Sequence, residues 1–119
     1  MRTSFMTLAA IVLVSVFAAA QYVYVSSKDP VTQPVLTKRV EPRYTGGAMR
    51  RRVEGIVKLS IVVKADGRVR DDVKVTQSLD EELDQQAIIA VKQWEFKPGT
   101  KDGVAVAVRV NVELSFKLK

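Results

Sequence analysis

The chain has 119 residues, a formal net charge of +6, and neither cysteine nor histidine. This length favours one domain, and the missing residue types exclude disulfides, thiolate chemistry, histidine-based catalysis and most zinc sites. The charge is moderate, and its only dense run, Arg50-Arg51-Arg52, lacks the interleaved aromatic residues of a nucleic-acid surface. We therefore interpret it as a mixed charged surface and expect no nucleic-acid partner.

The N-terminal sequence has the pattern of an export signal or a membrane segment. An apolar stretch follows the positive start Met1-Arg2 and ends in the small residues Ala18-Ala19-Ala20. This layout predicts a secretory signal peptide over residues 1–20. The alternative is an uncleaved membrane anchor over residues 5–25, which is just long enough to span a bilayer. We favour the cleaved signal, and both interpretations send the following residues out of the cytoplasm.

A polar segment separates this stretch from the rest of the chain. Residues 21–37 carry two prolines and several Ser, Thr and Gln residues, which predicts a short extended linker. The domain then covers residues 38–119. Its first predicted element is a short helix over residues 45–52, which Gly46-Gly47 weakens at its start.

Two strands and a turn follow. Apolar residues at alternate positions predict a first strand from Val53 to Val63 and a second from Val69 to Val75. Between them lies Asp66-Gly67, a strong short-range signal for a β-hairpin.

The next segment has the pattern of an amphipathic helix. Ser78, with Glu81 three residues later, predicts a capping box that starts a helix over residues 80–94. Apolar residues recur at spacings of three and four and form one stripe, which Ile88 widens: Leu83, Ala87, Ala90, Val91 and Trp94. Pro98-Gly99 stops this pattern, and a second Asp-Gly pair, Asp102-Gly103, starts the last strand.

The last strand is the most regular part of the sequence. From Val104 to Leu118 every even position is apolar, which predicts one long strand with a single apolar face. Together the elements predict an α+β fold: a small antiparallel three-stranded sheet packed on one main helix, with a short N-terminal helix, in the order α-β-β-α-β. A long terminal strand with a free edge offers unpaired backbone groups to a visiting peptide, although an ordinary core strand fits the same pattern.

The charged residues do not form a recognisable reactive site. The first helical turn carries four acidic residues, Asp80, Glu81, Glu82 and Asp84. Their negative charge is stabilised by the helix dipole. Because they are spread around the turn, they do not converge on one metal ion. No pair of carboxylates has a partner suited to acid–base chemistry. We predict no catalytic, cofactor or metal site and no enzymatic activity.

Several motifs, in this order along the chain, resemble the C-terminal domain of the TonB energy-transducer family over residues 35–118. They are Pro42-Arg43-Tyr44, Ala48, Val53-Glu54-Gly55-Ile56-Val57, Asp66-Gly67-Arg68-Val69, Leu83-Asp84, Ala87, Trp94-Glu95-Phe96-Lys97-Pro98-Gly99 and Val108-Arg109-Val110. Each motif is common alone, whereas their joint order and spacing are specific.

The resemblance implies a periplasmic domain that binds outer-membrane transporters. In this family a short transporter segment, the TonB box, adds as a strand beside the last strand, and an inner-membrane motor driven by the proton gradient supplies force. The candidate peptide-binding residues are Arg39, Glu41, Arg43, Val108, Arg109, Val110, Asn111, Val112, Glu113 and Ser115. Of these, the polar residues of the last strand are expected to select which peptide fits.

The chain also departs from the family pattern. Thr45 follows Tyr44 where the family usually has proline, and no residue can supply the histidine of the family's anchor. Residues 26–38 reach at most about 45 Å when extended. We therefore expect a freestanding module, or one that acts beside another subunit. The alternative function is a cell-envelope module that binds a partner protein or peptidoglycan without transducing force, and a homodimer through the last strand is plausible as well.

Overall fold

A computed structural model describes residues 23–25 and 28–119. The predicted signal peptide, and all but the last three residues of the alternative anchor, lie outside the described residues. Within these residues there are two helices, α1 (Gly46–Arg50) and α2 (Glu81–Val91). The strands are β1 (Val23–Val25), β2 (Val35–Lys38), β3 (Gly55–Val63), β4 (Lys74–Gln77), β5 (Glu95–Lys97), β6 (Thr100–Lys101), β7 (Val104–Ala105) and β8 (Ala107–Phe116). In this described part, neither helix has the length and apolarity needed to cross a membrane.

The centre of the fold is the antiparallel pair of β3 and β8. Their register runs without a break from Gly55 opposite Phe116 to Val63 opposite Val108. Alternation along each strand then sorts the side chains onto two faces. The odd positions of β3 and the even positions of β8 face the helices and form the core, as the period-two pattern predicts.

The two helices cover that apolar face. Every residue of the predicted stripe is buried, from Leu83 at 0% to Trp94 at 3% exposure, so the assignment of the helix face is confirmed. The indole Nε1–H of Trp94 donates to the Val40 carbonyl over 2.8 Å, which joins the chain before α1 to the segment that follows α2. In α1, Ala48 is fully buried and Thr45 serves as N-cap, accepting from the Ala48 N–H over 3.1 Å. Thr45, which follows Tyr44, therefore starts this helix as a side-chain cap.

The start of α2 differs from the predicted capping box. Asp80, not Ser78, is the N-cap, and its carboxylate accepts from the Glu82 and Leu83 N–H groups over 3.0 and 3.3 Å. Ser78 instead donates its hydroxyl proton to Asp84, whose carboxylate also accepts from the Leu79 N–H. The prediction was wrong because an Asp two residues after the Ser reaches the free N–H groups better.

Over residues 23–25 and 28–119 the main sheet has four strands, in the order β1-β8-β3-β4, so the predicted number of three strands was wrong. The α+β class is confirmed, and the antiparallel trio β8-β3-β4 lies within this sheet. The fourth strand, β1, comes from the predicted linker and pairs with β8 in parallel. The end of the same linker contributes to β2, which forms a separate two-stranded ribbon with β5.

The last strand is shorter than its apolar pattern. It starts at Ala107, because Val104 belongs to the small hairpin of β6 and β7 and is 65% exposed. Asp102 and Gly103 form the turn of that hairpin, with φ of 52° and 79°. The sequence signal for a turn was right, whereas the apolar alternation after the turn runs through two separate strands, β7 and β8.

The other Asp-Gly turn, at the end of β3, is closed by the Gly67 N–H donating to the Lys64 carbonyl over 2.9 Å. Gly67 has a φ of 86°, and a Cβ there would lie 2.1 Å from the Phe96 carbonyl oxygen. The turn thus needs glycine both for its conformation and for the close approach of β5.

Two glycine substitutions separate these requirements. Gly103→Ala should cost about 1–2 kcal/mol, the strain of a left-handed alanine, since no atom lies within 4 Å of its Cβ. Gly67→Ala should cost more than about 3 kcal/mol, because the Phe96 backbone must also move. Urea unfolding of both variants measures the difference. Equal costs would contradict the close packing of β5 on this turn.

Candidate functional site at the edge of the last strand

One edge of β8 is only partly covered. β1 pairs with its first three residues, Val23 opposite Ala107 through Val25 opposite Arg109. From Val110 to Phe116, no other strand of residues 23–25 and 28–119 pairs with this side of β8. Alternate residues of an edge strand point their N–H and C=O groups away from the sheet. This uncovered edge, residues 110–116 of β8, is the candidate site.

Apolar side chains line the core face of the uncovered edge. Leu114 and Phe116 are buried, and the Tyr44 ring packs edge-on against Phe116 at 5.5 Å between centroids. Val110 and Val112 pack against the core but remain half-exposed. A strand added here would bring its own side chains beside these two valines and remove their remaining apolar surface from water.

The opposite face of β8 is polar, as the odd positions predict. Two of its side chains are held by β3: the Arg109 Nη1–H donates to Ser60 Oγ over 3.1 Å, and Glu113 lies 3.6 Å from the Lys58 ammonium. Asn111 and Ser115 are exposed. Among the predicted polar binding residues of β8, Asn111 and Ser115 are therefore the two whose side chains are not held by β3.

Arg39, Glu41 and Arg43 lie elsewhere, on the segment between β2 and α1. Arg39 Nε donates to Glu41 Oε1 over 2.7 Å, and its guanidinium lies 4.9 Å from the centroid of the Trp94 ring. Arg43 is exposed. Within the described chain, no hydrogen bond or ion pair joins these three residues to Val108–Ser115, so the structure does not group them with the uncovered edge.

Charged groups near the polar face keep their charge. Arg70 donates to Asp72 from Nε over 2.6 Å and from Nη2 over 2.7 Å, which lowers the pKa of that carboxyl to about 2. The charge of Arg109 makes a smaller contribution to the same lowering. Near the core face, burial raises the pKa of the Tyr44 hydroxyl, and the nearby Glu54 charge adds to the rise. The Asp72 carboxyl and the Tyr44 hydroxyl therefore keep their charge states near neutral pH.

The site has the chemistry of backbone recognition. Over residues 23–25 and 28–119, no three Asp or Glu side chains come together as a metal-binding group. The uncovered edge combines a row of backbone donors and acceptors with an apolar and a polar face, which is the arrangement used for strand addition.

Strand β1 is not predicted by the pattern of the sequence. Val23-Tyr24-Val25 consists of β-branched and aromatic residues, which favour strands. The same residues extend the apolar N-terminal stretch, so the pattern assigns them to the start of the linker or to the end of the anchor. A strand of three residues is too short for alternation to distinguish these alternatives.

Residues 40–118 match the family described as Gram-negative bacterial TonB protein C-terminal. This match covers more than half of the chain, and the chain belongs to that family. Members of this family are transport energy transducers and not enzymes, so the predicted family and the absence of enzymatic activity are confirmed.

Individual relatives agree with this assignment. The chain is 37% identical over 101 residues to Protein TonB of Vibrio cholerae, covering 79% of this chain and 41% of that protein. It is 40% identical over 77 residues to Protein tonB2 of Pseudomonas aeruginosa, covering 65% and 28%. The chain therefore spans less than half the length of these curated relatives.

A solved structure has the same fold. The solution NMR structure of the Pseudomonas aeruginosa TonB CTD superposes with a TM-score of 0.60 at 25% identity, covering 80% of this chain and 93% of that one. The mixed α+β architecture described above is thus shared with a TonB C-terminal domain.

Hydrogen exchange tests whether the edge is uncovered. Along residues 110–116, we expect amide protons to alternate between slow exchange, where they point to β3, and fast exchange, where they point to the edge. Lys58 to Ser60 of β3, which has a neighbour on each side, should be protected throughout and serves as control. Protection at every residue from Val110 to Phe116 would contradict an open edge.

Proposed function

We propose that this domain binds a TonB box, an extended segment of an outer-membrane transporter, by strand addition to the uncovered edge of β8. The observation that carries the proposal is the row of seven residues, Val110 to Phe116, with no strand beside it in the described part of the chain. Family membership supplies the class of partner. The binding event then serves energy-coupled transport across the outer membrane.

The geometry supports reversible binding of moderate affinity. Seven edge residues offer three or four positions whose N–H and C=O groups both point outward. Each backbone hydrogen bond contributes about 0.5–1.5 kcal/mol net. Covering the half-exposed Val110 and Val112 adds apolar burial, and Asn111 and Ser115 on the other face are free to select among partner side chains.

Strand addition also suits the transmission of force. The bound segment would extend the sheet beside β8, which is itself joined to β3 along nine residue pairs. A pull along the strand would load the new backbone hydrogen bonds together and pass into the strongest part of the fold. The proposed partner is thereby coupled to the core rather than to a loop.

We extend the proposal to the cellular setting. The domain faces the periplasm, whether the segment before it is a cleaved signal peptide or an inner-membrane anchor. An inner-membrane motor driven by the proton gradient supplies the force, directly or through another subunit. A homodimer through β8 would use the same edge and would therefore compete with the transporter segment.

Backbone-methylated peptides test the mode of binding without altering the protein. Two synthetic TonB-box peptides are N-methylated on alternate amides, one on the odd set and one on the even set. Only one set points to β8, so one peptide should lose at least tenfold in affinity while the other binds as the unmodified peptide does. Isothermal titration measures both.

The outcomes separate strand addition from its rivals. Equal affinities for the two methylated peptides would show that backbone pairing does not carry recognition. Binding of peptidoglycan fragments, with no binding of any TonB-box peptide, would favour the envelope-interaction module instead.

A further inference from the structure

The edge of β8 already has an occupant from the same chain. β1 pairs with Ala107–Arg109 on the side where the proposed partner would lie. A backbone group of β8 cannot pair fully with two strands on one side. We infer that β1 is a self-strand: an intramolecular competitor that leaves β8 when a partner strand extends past Val110 towards Ala107. This inference rests on the proposed function and concerns the regulation of the same site.

The Asp29 carboxylate and two backbone hydrogen bonds hold the end of β1. The Val25 N–H donates to Asp29 Oδ2 over 2.8 Å, and the Val25 carbonyl accepts from the Lys28 and Asp29 N–H groups over 2.9 and 2.8 Å. These hydrogen bonds hold Lys28 and Asp29 beside Val25, at the end of β1 that lies next to Arg109.

The pairing of β1 with β8 is short compared with that of the central pair. Its three residues are all half-buried, and the Lys101 ammonium lies over the Tyr24 ring at 4.8 Å from the centroid. By contrast, β3 and β8 share nine paired residues around a buried core. Short elements with little buried surface open locally, without global unfolding. β1 therefore separates from β8 more readily than β3 does.

A second attachment keeps the released strand close. The Thr32 N–H donates to the Thr100 carbonyl over 2.9 Å, and the Thr100 N–H donates to Thr32 Oγ1 over 2.8 Å. At Gly99 the backbone of Thr32 passes so near that a Cβ would lie 2.5 Å from its carbonyl oxygen. Tethered at this point, β1 stays at high local concentration and returns when the partner leaves.

A reversible crosslink tests the competition. Val23→Cys combined with Ala107→Cys joins two residues that are partners across β1 and β8, and the chain has no other cysteine. Oxidised, the variant cannot release β1, and its affinity for a TonB-box peptide should fall at least tenfold. Reduced, it should bind as the unaltered chain does, which makes the reduced form its own control.

A matched pair of substitutions tests the opposite change. Asp29→Ala removes the acceptor of the Val25 N–H, whereas Asp29→Asn keeps an oxygen there. The alanine variant should bind the peptide three- to tenfold more tightly and should exchange its amide protons faster at Ala107–Arg109. The asparagine variant should stay within twofold of the unaltered chain in both measurements.

The two assays separate this inference from the proposed function. Equal peptide affinity of the oxidised and reduced forms would overturn the self-strand and leave strand addition intact. Unchanged exchange at Ala107–Arg109 in Asp29→Ala would overturn it without any partner. If neither redox form binds the peptide while that exchange rises, β1 opens as inferred and the proposed partner is wrong.

Discussion

The pairing of β3 with β8 is the constraint on which the rest of the structure depends. Its nine residue pairs fix which side chains face the helices, and so decide where α1 and α2 must pack. On the other side of β3, β4 continues the sheet. On the other side of β8, the described chain supplies only three residues. β8 therefore contributes to the hydrophobic core through its pairing with β3, and its other edge remains uncovered for binding.

Much of the fold was predictable because it follows from periodicity. Alternation assigned the core face of β3 and β8, and the stripe from Leu83 to Trp94 assigned the buried face of α2. The errors arose where two local signals competed. Asp80 displaced Ser78 as N-cap, and Val104 continued the alternation of β8 while belonging to another hairpin. Periodicity identifies a face but does not mark where an element begins.

The candidate site was predictable only in part. The polar and apolar faces of β8 follow from its sequence, and the family resemblance indicated the edge that a peptide would use. Neither signal revealed β1, because three residues carry too little pattern to predict a partner strand distant in sequence. Nor could the sequence show that Arg109 and Glu113 are already engaged by β3, which leaves Asn111 and Ser115 as the freer side chains. Contacts across strands depend on register, which the sequence alone did not specify.

The most direct test is an NMR measurement on the complex of the isotope-labelled chain with an unlabelled TonB-box peptide. Strand addition predicts backbone-to-backbone nuclear Overhauser effects between the peptide and residues 110–116 of β8, in one continuous register. Effects confined to side chains, or located along β4 or the helices, would contradict the account.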